Sequence, residues 1–381
     1  MDITTQPANK AAQSIDKTVY HDKLLGMIQG NLMGDALGAP HEFKRNRKYI
    51  YTGKLEHQVR MMSRFQGTKF SVVGQFTDDG EMTLTLLRSL AISNGTYSQD
   101  QTILMYEKWA NSRNMGMGIN TRKLLHGVTT LKGYRNRWNK LYGPNVIRTG
   151  EPESNGSLMR ASPLAVIYDN QPVIKDCDIT NPTTVNRDAS LVYVVSVRLA
   201  LQGAPKKVII EMAKSVVQTN KVRAALAHAL HKNGYDPTYP PQVGDLIQPY
   251  QVTGDTKEKM RGWVLIAFYT AFRYFFYTDS YHQAINGVIK LGGDTDTNAA
   301  IVGALCGAYY GSRVMMSNSI TTNNWNILVN ADTTQGDFPR SNQYRPHDLK
   351  ELVTKIVGLY PLPRWFISSS SLASAPTGAG A

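Results

Sequence analysis

Glycine recurs at every fourth position in two segments that are otherwise typical of helices, and this repeat constrains the fold more than any other feature. The repeated positions are Gly26, Gly30, Gly34 and Gly38 in the first segment, and Gly303, Gly307 and Gly311 in the second. A glycine inside a helix costs about 1 kcal/mol relative to alanine, so a face of glycines indicates that two backbones approach closely there. We therefore expect the two helices to cross near the centre of the fold. The crossing is expected to bring Glu42, just past the first helix, near the aspartates that open the second.

The rest of the chain also shows mostly helical periodicity. Helices are predicted over residues 22–37, 80–93, 101–111, 121–131, 157–168, 186–201, 205–218, 221–232, 261–276, 281–291, 297–310 and 348–357. Alternation typical of strands is scarce, with residues 71–75 as a short candidate, and no strand–helix–strand rhythm is present. The sequence therefore predicts an all-α fold.

Length and composition indicate one large helical domain. The chain has 381 residues, of which 42% are hydrophobic, and this is ample for a core. No break in composition divides the interior, so we predict a single domain over residues 18–362. Residues 1–17 are predicted to form a disordered tail, and residues 363–381 a low-complexity tail.

Cysteine usage and the apolar runs indicate a soluble intracellular protein of the cytoplasm or nucleus. The two cysteines, Cys177 and Cys306, exclude a disulfide framework and suit a reducing compartment. The N-terminal residues lack the apolar run of a secretion signal. The most apolar run, 262–276, is short and contains Arg273, so a buried helix is predicted rather than a membrane span. Oligomeric state is left open.

A formal net charge of +13 indicates attraction to anions such as nucleotides, nucleic acid, acidic protein tails or membrane surfaces. Much of the excess lies in two runs, residues 44–48 and residues 132–140, and the second interleaves bases with Tyr134 and Trp138. Such a segment can bind phosphates and stack on bases. Taken alone, each run is more commonly a solvated face or a mobile loop. Nucleic acid is thus a conceivable contact, but it is not the expected substrate.

Two acidic clusters each precede a predicted helix. One contains Thr77, Asp78 and Asp79, and the other contains Asp294, Asp296 and Thr297. Oxygen ligands without histidine or cysteine suit Mg²⁺, Mn²⁺ or Ca²⁺ better than zinc.

Helix capping is the alternative interpretation of each cluster, because Asp and Thr are common caps. Each cluster, however, holds more carboxylates than capping needs, and adjacent aspartates repel unless a cation or a base neutralises them. We favour a metal site. Asp35, inside the first glycine-repeat helix, is interpreted as a ligand, as a partner of a ligand, or as a solvated carboxylate.

Two further segments are typical of phosphate or sugar contacts. Gly116 and Gly118 lie in a loop before a predicted helix that contains Thr121, where backbone N–H groups could hold a diphosphate. A turn by itself also explains Gly-x-Gly. The segment that begins at Asn155 and Gly156 opens another helix with Asn-Gly turn chemistry and a serine cap, and that structural role suffices to explain it.

In order along the chain, these segments resemble the blocks of the ADP-ribosylglycohydrolase family, which includes ADP-ribosyl-protein hydrolases and the glycohydrolase that activates dinitrogenase reductase. The resemblance runs from about Lys23 to Gly311. The blocks that carry it are GDALGAPHE, GQFTDDGEMTLTLL, GMGINTRKLL, NGSLMRASPLAV and GGDTDTNAAIVGALCGAYYG. The last block is highly specific, whereas GMGINT is only suggestive.

The resemblance implies an all-α hydrolase with two Mg²⁺ (or Mn²⁺) ions in a cleft. The metal ligands that it implies are Glu42, Thr77, Asp78, Asp79, Asp294, Asp296 and Thr297. Gly116, Gly118 and Thr121 would contact the diphosphate of the substrate. Asn155, Gly156 and Ser157 would lie beside the ribose. The implied partner is an ADP-ribosylated protein or another ADP-ribose conjugate.

The chain departs from the family pattern in two places. Many members have a Thr-His-x-His-Pro-like segment where this chain has residues 179–184, ITNPTT, without histidine. Since that histidine helps to hold the ligand in some members, its absence puts the substrate preference in doubt. The basic segment 44–69 resembles an insertion relative to compact members.

Elementary chemistry agrees with a glycosidase. Cleavage at the anomeric carbon of ribose passes through an oxocarbenium-like state, and a carboxylate, Glu42 or Asp79, would act as general base toward water. We favour Glu42, although a metal-switching role fits it equally well. The alternatives are a two-metal phosphohydrolase or nuclease, and a non-catalytic ADP-ribose-binding module. The linkage that is cut (arginine, serine, polymer or O-acetyl) stays open.

Overall fold

The structure, a computed structural model, describes residues 15–43, 51–61, 68–144, 153–234, 238 and 262–360. Within these ranges helices are by far the main regular structure and strands are almost absent, which confirms the predicted all-α fold. The α-helices are α1 Lys17–Gly38, α2 Asp78–Ile92, α3 Gln99–Ala110, α4 Ile119–Leu125, α5 Leu131–Tyr142, α6 Gln171–Thr180, α7 Thr184–Leu201, α8 Lys206–Val216, α9 Asn220–Leu230, α10 Val264–Tyr277, α11 Tyr281–Leu291, α12 Thr295–Tyr310, α13 Ser312–Met315, α14 Ser319–Asn330 and α15 Leu349–Leu359.

The two glycine repeats lie on α1 and α12, which pack against each other in antiparallel orientation. A Cβ built on Gly26 would lie 2.6 Å from the carbonyl oxygen of Gly307, and one built on Gly30 would overlap the carbonyl oxygen of Gly303. Gly38, at the other end of α1, lies against Thr295, whose hydroxyl donates to the Gly38 carbonyl at 2.8 Å. The predicted close approach is confirmed, but it extends along both helices rather than occurring at a single crossing.

The α1–α12 pair forms the centre of the molecule. Every residue of α1 from 24 to 38 is buried, so this helix lacks the polar face that a surface helix shows. Helices α2, α14 and α15 pack on α1, while α7, α10 and α11 pack on α12. The end of α1 and the start of α12 therefore meet at the same end of the pair.

Side-chain caps begin many of the surrounding helices. Asp16 accepts hydrogen bonds from the backbone N–H groups of Thr18 and Val19 at the start of α1. Ser and Thr hydroxyls, or an Asn amide oxygen, cap six further helices in the same way, and the capping residues are Ser98, Thr130, Thr183, Thr219, Ser280 and Asn318. These are the cap residues that helix N-termini favour.

The strand prediction for residues 71–75 is wrong. A short antiparallel hairpin lies just upstream, where β1 (Val59–Met61) pairs with β2 (Thr68–Phe70). Residues 72–75 form a turn instead, because the Gln75 N–H donates to the Val72 carbonyl at 3.0 Å and the Gln75 side chain accepts from the Val72 N–H.

The predicted helix at 157–168 is also wrong. The chain forms two 3-10 turns there, Asn155–Ser157 and Ser162–Val166. Pro163 has no N–H to donate, and the buried Arg160 side chain donates to the Gly156 carbonyl at 2.7 Å, so a continuous α-helix does not form.

The basic run 132–140 is a helix, α5, rather than a mobile loop. The hydroxyl of the buried Tyr134 donates to the Ile179 carbonyl at 2.9 Å, and the Trp138 indole donates to the Asp178 carbonyl at 2.8 Å. Both aromatic side chains are thus used to pack α5 against α6, and this segment gives no support to base stacking. Helices α6 and α14 were likewise absent from the sequence prediction.

Several sequence predictions lie outside the described residues. The basic run 44–48 does so entirely, as does the predicted C-terminal tail at 363–381, and residues 1–14 of the N-terminal tail do so too. Among the helices that the structure does describe, none combines the length and the apolar composition needed to cross a bilayer.

Candidate active site

Three carboxylates meet where α1 ends and α12 begins. Oxygen atoms of Glu42, Asp294 and Asp296 all lie within 4.8 Å of one another. Glu42 follows the 3-10 turn Ala39–His41, and the next residue, Phe43, donates its N–H to the Gly293 carbonyl at 2.9 Å. The antiparallel pairing of α1 and α12 therefore produces the proximity of Glu42 to the aspartates that the sequence predicts.

The entry to α12 depends on two glycines. Gly292 has a φ of 84° and Gly293 a φ of 96°, which is backbone that side-chain-bearing residues rarely adopt. This turn aims Asp294 and Asp296 toward Glu42. The Asp294 side chain does not cap α12; it accepts a hydrogen bond from the Asn155 amide at 2.7 Å instead. Capping therefore does not explain this aspartate.

The second acidic cluster lies at the start of α2. Thr77 precedes the helix without capping it, and Asp78 and Asp79 form its first turn. The cap comes from Asp35 of α1, whose carboxylate accepts from the Thr77 N–H at 3.0 Å, the Thr77 hydroxyl at 2.8 Å and the Gly80 N–H at 2.7 Å. Asp35 is fully buried, so the interpretation of this residue as a solvated carboxylate is wrong.

The two clusters share one electrostatic environment. Burial and the Asp296 carboxylate together raise the pKa of Asp35 to about 7, while hydrogen bonds from Gly80 and Thr77 act in the opposite direction. Burial also raises the pKa of Asp78, Asp79 and Asp294 well above the usual range of a carboxyl, and neighbouring carboxylates add to each of these shifts. The Asp296 carboxylate contributes in all three cases. This mutual repulsion between buried acids is what a bound cation would relieve.

The residues present fit a hard divalent cation. Their side chains offer carboxylate and hydroxyl oxygens, and Thr77, Asp78, Asp79 and Asp296 are buried. Among the described residues, the Asp79 Oδ1 atom has no hydrogen-bond partner although it is shielded from solvent. An unpartnered buried carboxylate oxygen is costly unless a ligand completes it.

Asn155 connects the acidic site to a second segment. Besides its amide contact with Asp294, the Asn155 backbone N–H donates to the Gly262 carbonyl at 2.8 Å. A Cβ built on Gly262 would lie 3.4 Å from the Asp294 carboxylate, so this backbone passes close beside the acid. The 3-10 turn Asn155–Ser157 is thus held at the edge of the carboxylate cluster.

The glycine loop lies next to that turn. Gly116 has a φ of 90°, and Gly118 precedes α4. A Cβ built on Gly156 would lie 3.9 Å from the Thr121 hydroxyl, whereas one built on Gly118 would meet no heavy atom of the described ranges within 4 Å. The space beside Gly118 is therefore open. Ser157 is buried, and its hydroxyl accepts from the Asn186 amide at 3.1 Å. This hydrogen bond stabilises the Asn155–Ser157 turn.

The structure shows supporting residues that sequence reasoning missed. The Ser154 hydroxyl lies 3.1 Å from the Asn120 amide of α4, the helix that follows the glycine loop, and 2.9 Å from the Asn181 amide. Asn181 belongs to the segment that lacks the family histidine. Below the turn, the fully buried Arg160 pairs with Asp176 at 3.0 Å. The arginine in NGSLMR was the available sequence signal, but its ionic partner Asp176 lies 16 residues further along the chain.

The sequence and the fold of this chain have counterparts among known proteins. The family model described as ADP-ribosylglycohydrolase matches residues 16–318, which is most of the chain. The protein therefore belongs to the ADP-ribosylglycohydrolase family, and the resemblance seen in the sequence is confirmed. Helices α14 and α15 lie beyond the matched residues.

Several relatives align over most of their own length. ADP-ribosyl-[dinitrogen reductase] glycohydrolase of Rhodospirillum rubrum is 27% identical over 304 residues, which cover 76% of this chain and 86% of that protein. ADP-ribosylhydrolase ARH3 of Homo sapiens is 24% identical over 324 residues, with 75% and 85% coverage. ADP-ribosylarginine hydrolase Tri1 of Serratia proteamaculans is 26% identical over 312 residues, with 76% and 72% coverage.

A solved structure shares the fold. It is titled ADP-ribosylglycohydrolase-related protein complex, and it superposes with a TM-score of 0.55 at 20% sequence identity. The match covers 82% of this chain and 98% of the other.

Proposed function

We propose that this chain is a hydrolase that needs a divalent cation and cleaves the glycosidic bond between ADP-ribose and a protein side chain, or a related ADP-ribose conjugate. The observation that carries the proposal is the convergence of Glu42, Asp294 and Asp296 within 4.8 Å. Asn155 ties this group to the turn that the family resemblance associates with the ribose. The names of the relatives, which are hydrolases of ADP-ribosyl groups, support the same substrate class.

The proposed cation site draws on both acidic clusters. The ligands proposed for two Mg²⁺ or Mn²⁺ ions are Glu42, Thr77, Asp78, Asp79, Asp294, Asp296 and Thr297. Bound there, the cations would supply Lewis-acid catalysis, which stabilises developing negative charge and lowers the pKa of a nearby water.

The chain itself would orient the substrate. Backbone N–H groups of the loop at Gly116 and Gly118 would bind the diphosphate, since the space beside Gly118 is open. The turn at Asn155 and Gly156 would lie beside the ribose, between that loop and Asp294. Thr121, whose hydroxyl lies next to Gly156, would contact the diphosphate together with Gly116 and Gly118.

We propose Glu42 as the general base that takes the proton of the attacking water. Glu42 is half-buried, whereas Asp79 is buried at the start of α2. A base must reach water as well as accept a proton, and this difference in exposure favours Glu42 over Asp79. Asp79 would then serve as a ligand.

Product analysis on a panel of substrates tests the proposal. The panel contains arginine-linked, serine-linked and polymeric ADP-ribose together with O-acetyl-ADP-ribose, each with Mg²⁺ and with EDTA. We expect free ADP-ribose from at least one substrate, and only when Mg²⁺ is present. Release of AMP from these substrates, or cleavage of an oligonucleotide assayed in parallel, would instead indicate a phosphohydrolase or nuclease. Binding without turnover would indicate a non-catalytic module.

A further inference from the structure

A buried ion pair lies directly behind the acidic turn of α2. Glu81 is in the first turn of that helix, two residues after Asp79, and it is 3% exposed. Its carboxylate accepts from the Arg340 Nε at 2.7 Å and from the Arg340 Nη2 at 2.6 Å. The Trp109 indole donates to the same carboxylate at 2.7 Å. Two parallel bonds from one guanidinium fix both the position and the orientation of the carboxylate.

Arg340 reaches a second element with its remaining nitrogen. Its Nη1 donates to the Ser112 hydroxyl at 3.0 Å, in the turn that follows α3. The Ser112 carbonyl in turn accepts from the Asn114 N–H at 2.9 Å and from the Asn114 amide at 3.2 Å. Gly116 follows two residues later, so this turn is the base of the glycine loop.

Arg340 is held firmly from its own side. It is 4% exposed, its guanidinium lies 4.5 Å from the centroid of the Tyr344 ring, and its backbone N–H donates to the Thr333 carbonyl at 2.6 Å. These contacts belong to residues 319–360, which we call the C-terminal segment. The C-terminal segment lies beyond the residues that the family model matches.

We propose that Arg340 is a positioning residue that fixes the position of the acidic turn of α2 relative to the glycine loop. This inference rests on the proposed function, in which that turn carries cation ligands and that loop binds the diphosphate. A displacement of about 1 Å between reacting groups can cost about 100-fold in rate, so such a cross-link has a direct use. Only arginine can make three directed bonds in one plane at this position, because lysine carries a single compact charge.

A second ion pair provides a matched control. Arg88, also on α2, forms two hydrogen bonds of 2.6 Å with Asp348 of the C-terminal segment. This pair joins the same two parts of the chain as Glu81 and Arg340 do. Within the described residues, the Arg88 side chain hydrogen-bonds only to Asp348 and the Arg345 carbonyl. It therefore contacts neither the first turn of α2 nor the base of the glycine loop. Loss of Arg88 should therefore lower stability without disturbing the site.

The test compares Arg340→Lys, Arg340→Met, Ser112→Ala and Arg88→Met. Three readouts are used: Mn²⁺ affinity by calorimetry, KM and kcat with an ADP-ribose conjugate, and amide hydrogen exchange over residues 77–82 and 112–121. For both Arg340 variants we expect Mn²⁺ affinity to fall about tenfold, as for other residues that orient metal ligands, together with a higher KM and faster exchange in both windows. Ser112→Ala should raise KM and speed exchange at 112–121 alone. Arg88→Met should lower the melting temperature and change neither Mn²⁺ affinity nor KM.

The inference is overturned if Arg340→Lys and Arg88→Met behave alike in Mn²⁺ affinity, KM and amide exchange, because Arg340 would then be a purely structural residue. If Arg340→Met does not fold, Arg340→Lys and Ser112→Ala decide the result. A wild-type protein that releases no ADP-ribose would contradict the proposed function instead. In that case Mn²⁺ affinity and amide exchange of the same variants still decide whether Arg340 holds the two elements together.

Discussion

Gly30 and Gly303 face each other so closely that a Cβ built on either would overlap the carbonyl oxygen of the other. Both positions lie inside helices, and the clash would be with backbone, which cannot rotate away as a side chain can. This contact lies near the middle of the α1–α12 pair. Glu42 and Asp294 lie together at one end of the same pair. The spacing of two backbones thus sets the geometry of the candidate active site.

We expect Gly30→Ala to destabilise the protein by about 3 kcal/mol or more, because an added methyl forces the two central helices apart. Chemical denaturation measures the change. Gly358→Ala is the matched control, since no heavy atom in the described part of the chain lies within 4 Å of the Cβ added at that helix position. The control should be neutral or more stable by about 0.5 kcal/mol. Equal stability of the two variants would mean that α1 and α12 are not in contact as described.

Removal of divalent cations should abolish turnover and lower thermal stability. A cation that binds only the folded state at 100 times its Kd contributes about 2.7 kcal/mol. Burial and neighbouring carboxylates, Asp296 among them, raise the pKa of Asp78, Asp79 and Asp294, and this unfavourable burial of acids should return when the cation is removed. Activity assays and melting curves with EDTA, then with added Mg²⁺, Mn²⁺ or Zn²⁺, provide the measurement. Full activity after EDTA treatment would contradict the metal assignment.

Asp296→Asn should reduce turnover more than about 100-fold and yet raise the melting temperature of the cation-free protein. The activity falls because a proposed ligand is weakened. Stability rises because the Asp296 charge is among the causes that raise the pKa of Asp35, Asp78 and Asp79. Kinetics and melting curves in EDTA report the two effects separately. A variant with wild-type activity would show that Asp296 is not a ligand.

Gly118→Val should raise KM for an ADP-ribose conjugate at least about tenfold with little change in stability. The Gly118 φ of −61° suits other residues, and an added Cβ would have no atom of the described residues within 4 Å. That space is where the diphosphate is proposed to bind, so the substituent competes with substrate rather than with the core. An unchanged KM would place the diphosphate elsewhere.

The site was predictable to the extent that its residues form contiguous motifs. Asp78, Asp79, Asp294 and Asp296 were recognisable because oxygen-rich clusters before helices are visible in a single short stretch. Arg340 was not recognisable, because it reaches Glu81 across 259 positions of the chain. Helix α5 was not recognised either, although Leu131, Tyr134, Trp138 and Leu141 recur at helical spacing and pack on the core, because the segment is rich in basic and polar residues.

The sequence by itself determined the all-α fold, the close pairing of two glycine-faced helices and the membership of the two acidic clusters. These follow from local periodicity and from the cost of interior glycine, both of which are short-range properties. The sequence also predicted that Glu42 lies near the aspartates that open α12, but only the tertiary structure decided that the helices stay paired and antiparallel along their length and that oxygen atoms of Glu42, Asp294 and Asp296 lie within 4.8 Å of one another. The tertiary structure also decided that Asp35 caps α2 from α1, since hydrogen bonds between distant residues depend on how the chain packs.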